Sequence, residues 1–211
     1  MEVAPVTAAR DAVLAGVRRA LGPSPDVPGV PRAYRRGAPG PGAGLVDVFC
    51  ERVADYRATV RRTGDAAAAV RAACDAHRAL RLACAPGWAL GIDGIELVPD
   101  DPPLPVAELD AFDGVVTGCA LAIAQTGTIV LDGAGASGRR ALTLVPDLHV
   151  CVVRAEQIVA DVPAATAALA PAARAGRPIT LVSGPSATSD IELQRVEGVH
   201  GPRRLDVVLV G

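Results

Sequence analysis

The chain has 211 residues and a formal net charge of −2, with acids and bases interspersed. It is long enough to bury one sizeable core, and it carries no basic stripe for a phosphate backbone. Five aromatic residues (one Trp, two Tyr, two Phe) leave little for base stacking, so no nucleic-acid partner is expected.

Half of the residues are apolar, yet no apolar run approaches the ~20 residues of a membrane helix. The start, Met1-Glu2-Val3-Ala4-Pro5, lacks the basic head and apolar stretch of a secretory signal. A cytoplasmic protein without a membrane span is expected. All 21 Lys/Arg residues are arginine, so Schiff-base and P-loop lysine chemistry are excluded within this sequence.

Thr7 is placed to cap a first helix over 8–21, with Val13, Leu14, Val17 and Leu21 on one face. Gly22-Pro23 ends it, and residues 22–44 carry most of the Pro/Gly density, which marks a linker or wrapping arm. The organisation read from this is an N-terminal helix and linker over 1–44 and an α/β domain over 45–211. A second helix is predicted over 45–62, with Leu45, Val48, Phe49, Val53, Tyr56 and Val60 as its stripe. Asp65 is placed to cap an Ala-rich third helix through about Leu80.

Short apolar runs bounded by Gly, Pro or Asp follow: 82–84, 88–92, 95–98, 114–117, 121–124, 128–131, 142–145, 149–153, 179–182 and 205–210. Helical segments are read at 105–111, 155–159 and 161–174. Strands alternating with helices define an α/β fold with a mostly parallel central sheet flanked by helices. The helices before residue 80 are expected on one side of that sheet.

Cysteines stand at 50, 74, 84, 119 and 151 without a CxxC pair, so no metal or iron–sulfur cluster is expected on this chain itself. Apolar neighbours point to buried, reduced thiols. The three histidines, at 77, 149 and 200, are too scattered for a local metal motif.

Three Gly-containing loops carry the candidate chemistry. Gln125-Thr126-Gly127-Thr128 joins two apolar runs closely enough for a hairpin turn, and reads either as a ligand-facing lip or as a satisfied β-turn. Ser183-Gly184-Pro185-Ser186, continuing through Thr188 to Asp190, places hydroxyls and one acid after a strand, where open α/β sheets bind ligands. The same residues could serve as a helix cap. In the stretch from Gly198 to Arg204, His200 is a candidate proton shuttle or oxyanion donor, and Arg203 a candidate anion clamp. Arg139 and Arg140 form a further basic pair. The arginines also read as ordinary solvated side chains, and His200 as hydrogen-bonded to the neighbouring serine loop.

Taken in order, Thr126-Gly127-Thr128-Ile129-Val130-Leu131, Gly138-Arg139-Arg140-Ala141-Leu142, Val145-Pro146-Asp147-Leu148-His149-Val150, Ser183-Gly184-Pro185-Ser186 with Asp190-Ile191-Glu192, and Gly198-Val199-His200-Gly201-Pro202 closely resemble the lactate-utilisation protein C family, the LUD domain. The match covers about residues 85–211. The resemblance implies a sugar-phosphate isomerase/CoA-transferase-like fold with a cleft at the strand ends. It also implies a place in a system that oxidises L-lactate to pyruvate, with iron–sulfur clusters on partner proteins and a small anionic ligand such as lactate.

Two positions depart from the pattern. Gln125 stands where family members usually carry Glu, and Ala187 where related members often carry Arg. An amide is neither nucleophile nor base at neutral pH. The sequence therefore reads as an accessory or assembly subunit that is not catalytic alone. An autonomous enzyme acting on a carboxylate, CoA thioester or sugar phosphate, and a non-catalytic ligand sensor, remain the alternatives.

Overall fold

A computed structural model describes residues 6–34, 36–37, 44–185 and 201–211. The chain divides into two units, residues 1–34 and 35–211. In the first, α1 (Val6–Leu21) begins just before Thr7 rather than after it, and its Val13, Val17 and Leu21 are exposed.

The second unit contains two sheets. α2 (Leu45–Asp55) starts after Gly44 and buries Phe49 and Val53. It stops well short of residue 62. Arg57 takes a left-handed backbone (φ 65°), and β1 (Thr59–Thr63) follows as an edge strand. Val60 continues the helical stripe only by coincidence of spacing. It packs instead from the strand against the core that holds Phe49 and Val53. α3 (Ala66–His77) is capped as expected, with the Ala68 amide donating to Asp65 Oδ1 at 3.0 Å, and it ends at Arg78.

The larger sheet also contains β2 (Arg81–Cys84), β3 (Glu96–Pro99), β4 (Gly114–Thr117), β7 (Leu148–Arg154) and β10 (Arg204–Val210). Its six strands run in the order β1-β10-β7-β4-β2-β3, and every pairing is parallel. α2 and α3 lie on opposite faces of it, not on one. Alternation along the strands decides this: Cys151, Leu205, Val207 and Leu209 join Phe49 and Val53 of α2, whereas Val150 and Val208 join Val70, Ala73 and Cys74 of α3.

A second, four-stranded sheet is built from β5 (Leu121–Ile123), β6 (Thr128–Leu131), β8 (Ile158–Val159) and β9 (Thr180–Val182), in the order β8-β5-β6-β9. One face (Ala122, Ile129, Leu131) packs into the core shared with α2 and the larger sheet. The other (Leu121, Ile123, Val130) is covered by Ala165 and Leu169 of α5 (Val162–Arg174). The layers thus run α3, parallel sheet, α2 with the small sheet, then α5.

Four expected segments differ. Residues 88–92 form no strand; Trp88 Nε1 instead donates to the Leu90 carbonyl at 2.8 Å. Residues 140–143 form a 3₁₀ turn that buries Leu142, and 155–157 form a second one leading into β8. The helix predicted at 105–111 is the short α4 (Val106–Leu109).

Cys74 lies fully buried under the parallel sheet, and burial pushes its thiol up from the ordinary 9.0 to about 11. The folded thiol therefore keeps its proton while an unfolded one loses it, so the stability this provides is complete below pH ~9 and disappears as pH rises towards 11. Denaturant titrations of wild type and Cys74→Ala are expected to show the wild type losing relative stability across that window. Parallel curves would contradict this account.

Candidate functional site

β5 and β6 form the expected hairpin, closed by the Gly127 amide donating to the Ala124 carbonyl at 3.3 Å. Gly127 has φ +58°, and a β-carbon there would stand 2.6 Å from the Arg52 carbonyl carbon and 2.7 Å from the Val53 amide nitrogen of α2. The glycine is required by packing, so it seats the turn on a helix. Gln125 is exposed, and its backbone N–H donates to the Ala160 carbonyl at 3.0 Å.

The hydroxyls of this turn reach a second loop. Thr126 Oγ1 lies 2.7 Å from Thr128 Oγ1, and Thr128 Oγ1 lies 2.7 Å from Ser183 Oγ. β9 makes this possible by pairing antiparallel with β6, Ile129 opposite Val182. The strand before Ser183 therefore belongs to the small sheet, not to the parallel one. Gly184 (φ +81°) is seated against α2 as well, where a β-carbon would meet Tyr56 Cβ at 2.6 Å. One helix end fixes both loops.

Ser183 opens onto a small cavity of about 50 Å³, whose lining includes Arg140, Thr143, His149, Gly184 and Gly201. His149 and Leu205 are the second residues of β7 and β10, so this cavity sits at the amino-terminal edge of the parallel sheet. The expectation of a site beyond carboxyl ends is thus reversed for these loops. His149 is buried and its Nε2 lies 2.8 Å from Thr117 Oγ1. Arg140 donates from Nη1 to the Thr143 carbonyl at 3.0 Å and to Thr143 Oγ1 at 3.2 Å. Burial lowers its pKa, yet a guanidinium stays charged at neutral pH. A guanidinium that lines a cavity can form charge-assisted hydrogen bonds to an anionic group.

The other candidates are distributed differently. Arg139 turns away from this cavity and grips buried Asp100, with Nη2 2.9 Å from Oδ1 and 2.6 Å from the Leu104 carbonyl. That carboxylate holds the guanidinium above its usual range. Arg203 makes an exposed ion pair with Asp147 at 2.9 Å. Ser186, Thr188, Asp190 and His200 lie outside the described residues. His149 and Thr143 were not among the sequence candidates. The available signal for His149 was a single polar ring in the otherwise apolar run from Leu148 to Val153.

Such a doubly layered α/β body, with a parallel sheet and a hairpin sheet, defines the class. The LUD domain model matches residues 107–210. A crystal structure of a DUF162 family protein from Deinococcus radiodurans superposes with a TM-score of 0.68 at 40% identity, covering 82% of this chain and 100% of that one. The chain belongs to the LUD domain (DUF162) family.

Among curated relatives, it is 60% identical over 118 residues to Lactate utilization protein C of Deinococcus radiodurans, covering 56% of each chain. It is 35% identical over 104 residues to Lactate utilization protein C 1 of Bacillus mycoides, covering 47% of this chain and 44% of that one. Uncharacterized protein YkgG of Escherichia coli is 38% identical over 84 residues, covering 38% of this chain and 36% of that one. The chain spans about half the length of these relatives, or less.

Proposed function

We propose that this chain is an accessory or assembly subunit of an L-lactate utilisation system, holding a small carboxylate while iron–sulfur partners carry the oxidation to pyruvate. The observation that supports it most is the cavity lined by half-buried Arg140 and by Ser183, the last hydroxyl of the Thr126–Thr128–Ser183 chain. The relatives known as Lactate utilization protein C supply the substrate class.

The cysteines do not suit a cluster on this chain. Cys74 and Cys84 belong to one core, and Cys119 and Cys151 to another on the opposite face of the sheet, so four thiolates do not converge. In the cavity, Arg140 would pair with the carboxylate and Ser183 would orient it by hydrogen bonding.

Titration with lactate and with pyruvate, read by calorimetry and by melting temperature, is expected to show saturable binding. Arg140→Gln is expected to weaken it roughly 10- to 100-fold, the equivalent of one charge-assisted contact. Equal affinity in the variant would remove the cavity from the account. Lactate turnover by the isolated chain with an artificial acceptor would overturn the accessory role.

A further inference from the structure

The carboxyl-terminal edge of the parallel sheet carries a second, larger cavity of about 340 Å³, which the proposed anion site does not use. Segments that end or follow the parallel strands meet there. Trp88 stands in the loop after β2 and Cys119 in the turn after β4, while Arg154 and Val210 are the last residues of β7 and β10. These four strands are neighbours in the order β10-β7-β4-β2. Open α/β sheets take their ligands at this position, outside the carboxyl ends of the strands.

Much of the lining is apolar, with Leu90, Val152 and Val210 beside the indole of Trp88. The indole is tied down, since its Nε1–H donates to the Leu90 carbonyl at 2.8 Å. The amide in the wall is engaged as well. Gln157 Nε2 donates to the Cys119 carbonyl at 2.7 Å, and its Oε1 accepts the Arg154 backbone N–H at 2.9 Å. These bonds hold the wall in place before a ligand arrives, so binding loses little ordering entropy.

Arg154 is the one charged residue of the lining among the described residues, so the cavity favours an anion over a cation. Its side chain is 60% exposed, and Nε donates to Glu156 Oε1 at 2.7 Å. Nη1 and Nη2 have no partner among the described residues. A guanidinium fork with these donors open takes a carboxylate through parallel hydrogen bonds. One cation matches one negative charge, whereas a doubly charged phosphate calls for more donors.

Size and shape narrow the ligand further. The cavity of about 340 Å³ would take roughly 11 waters at ~30 Å³ each. Lactate is too small to fill it, and a benzene ring carrying a carboxylate is of the right size. A fixed indole prefers a flat ring, through stacked or edge-to-face contact, over a flexible chain. We infer that the carboxyl-edge cavity binds an aromatic carboxylate, its ring packed against Trp88 and the ends of β7 and β10 and its carboxylate on the Nη groups of Arg154.

Trp88 is the single tryptophan of the chain, so its emission reports this cavity directly. The full chain is titrated with phenylacetate, read by tryptophan emission and by calorimetry, and a saturable one-to-one change is expected. Phenethyl alcohol keeps the ring without the charge, and acetate keeps the charge without the ring. Each is expected to bind about 10-fold or more weakly than phenylacetate. Lactate, held in the Arg140 cavity at the opposite edge, is expected to leave the emission unchanged, so failure of that site and failure of this one are separate results. Arg154→Gln is expected to weaken phenylacetate roughly 5- to 20-fold while leaving phenethyl alcohol unaffected. A general loss of structure would weaken both. If that variant does not fold, the wild-type comparison of charged and neutral rings decides alone. Unchanged emission at millimolar phenylacetate, octanoate binding as tightly, adenosine monophosphate binding more tightly, or an equal loss of both ring ligands in the folded variant would each overturn the proposal.

Discussion

Gly127→Ala is expected to lower the unfolding free energy by roughly 3 kcal/mol, from two costs that act together. An alanine must hold a left-handed backbone at φ +58°, and it must also displace a helix backbone; each costs about 1–3 kcal/mol. The obstructing atoms are the Arg52 carbonyl carbon and the Val53 amide nitrogen in the last turn of α2, backbone atoms that no rotamer change removes. α2 cannot retreat freely, because Phe49 and Val53 are buried in the core shared with β7 and β10. In a body of this size, roughly 3 kcal/mol corresponds to a fall in Tm of about 6–12 °C. Chemical and thermal denaturation check it. A loss below about 1 kcal/mol would mean that the turn lifts off the helix at little cost.

The second large effect is expected at the Asp100–Arg139 pair. Arg139→Ala leaves the 3%-exposed Asp100 with the Leu104 amide at 2.7 Å but without its guanidinium. Removing one member of such a pair costs about 3–5 kcal/mol, chiefly because the remaining charge stays desolvated. The double variant Asp100→Leu, Arg139→Met is expected to recover part of that loss, since apolar replacement of both members removes the buried charge. A single variant as stable as wild type would show the carboxylate reaching water by another route. The same experiment bears on function. Arg139 resembled an anion clamp in the sequence, and its geometry assigns it to holding the 96–104 segment against the 3₁₀ region.

Local signals in the sequence were read correctly where the physics was local. The hairpin at Gly127 and the cap at Asp65 depend on residues within a few positions of each other. The parallel sheet was legible because its strands are apolar on consecutive positions. Partner choice was not legible. The run at 179–182 has the composition of a parallel core strand, yet its pairing with β6 was decided by contacts far away in sequence. That single assignment moved Ser183 from one edge of the fold to the other. The end of α2 was hidden for a different reason: the left-handed residue is Arg57, where a glycine would have marked the break. His149 entered the sequence reading only as one of three histidines too scattered for a metal motif. Its contact with Thr117 of β4 arises from strand pairing, which the sequence does not show.

The strand order has a further consequence for how the chain is made. β10 lies between β1 and β7, pairing with residues 59–63 on one side and 148–154 on the other. A ribosome emitting this chain therefore releases β1 long before β10, its one neighbour in the sheet among the described residues, exists. Until residues 204–210 emerge, β2, β3, β4 and β7 can assemble while β1 waits with its hydrogen-bonding edge unpaired. Completion of the sheet is then an insertion, with the late strand entering a gap bounded by two early ones. Such non-local closure is slow and leaves an open edge available to other chains. Synthesis, rather than the finished fold, is the stage at which this molecule is most exposed to aggregation.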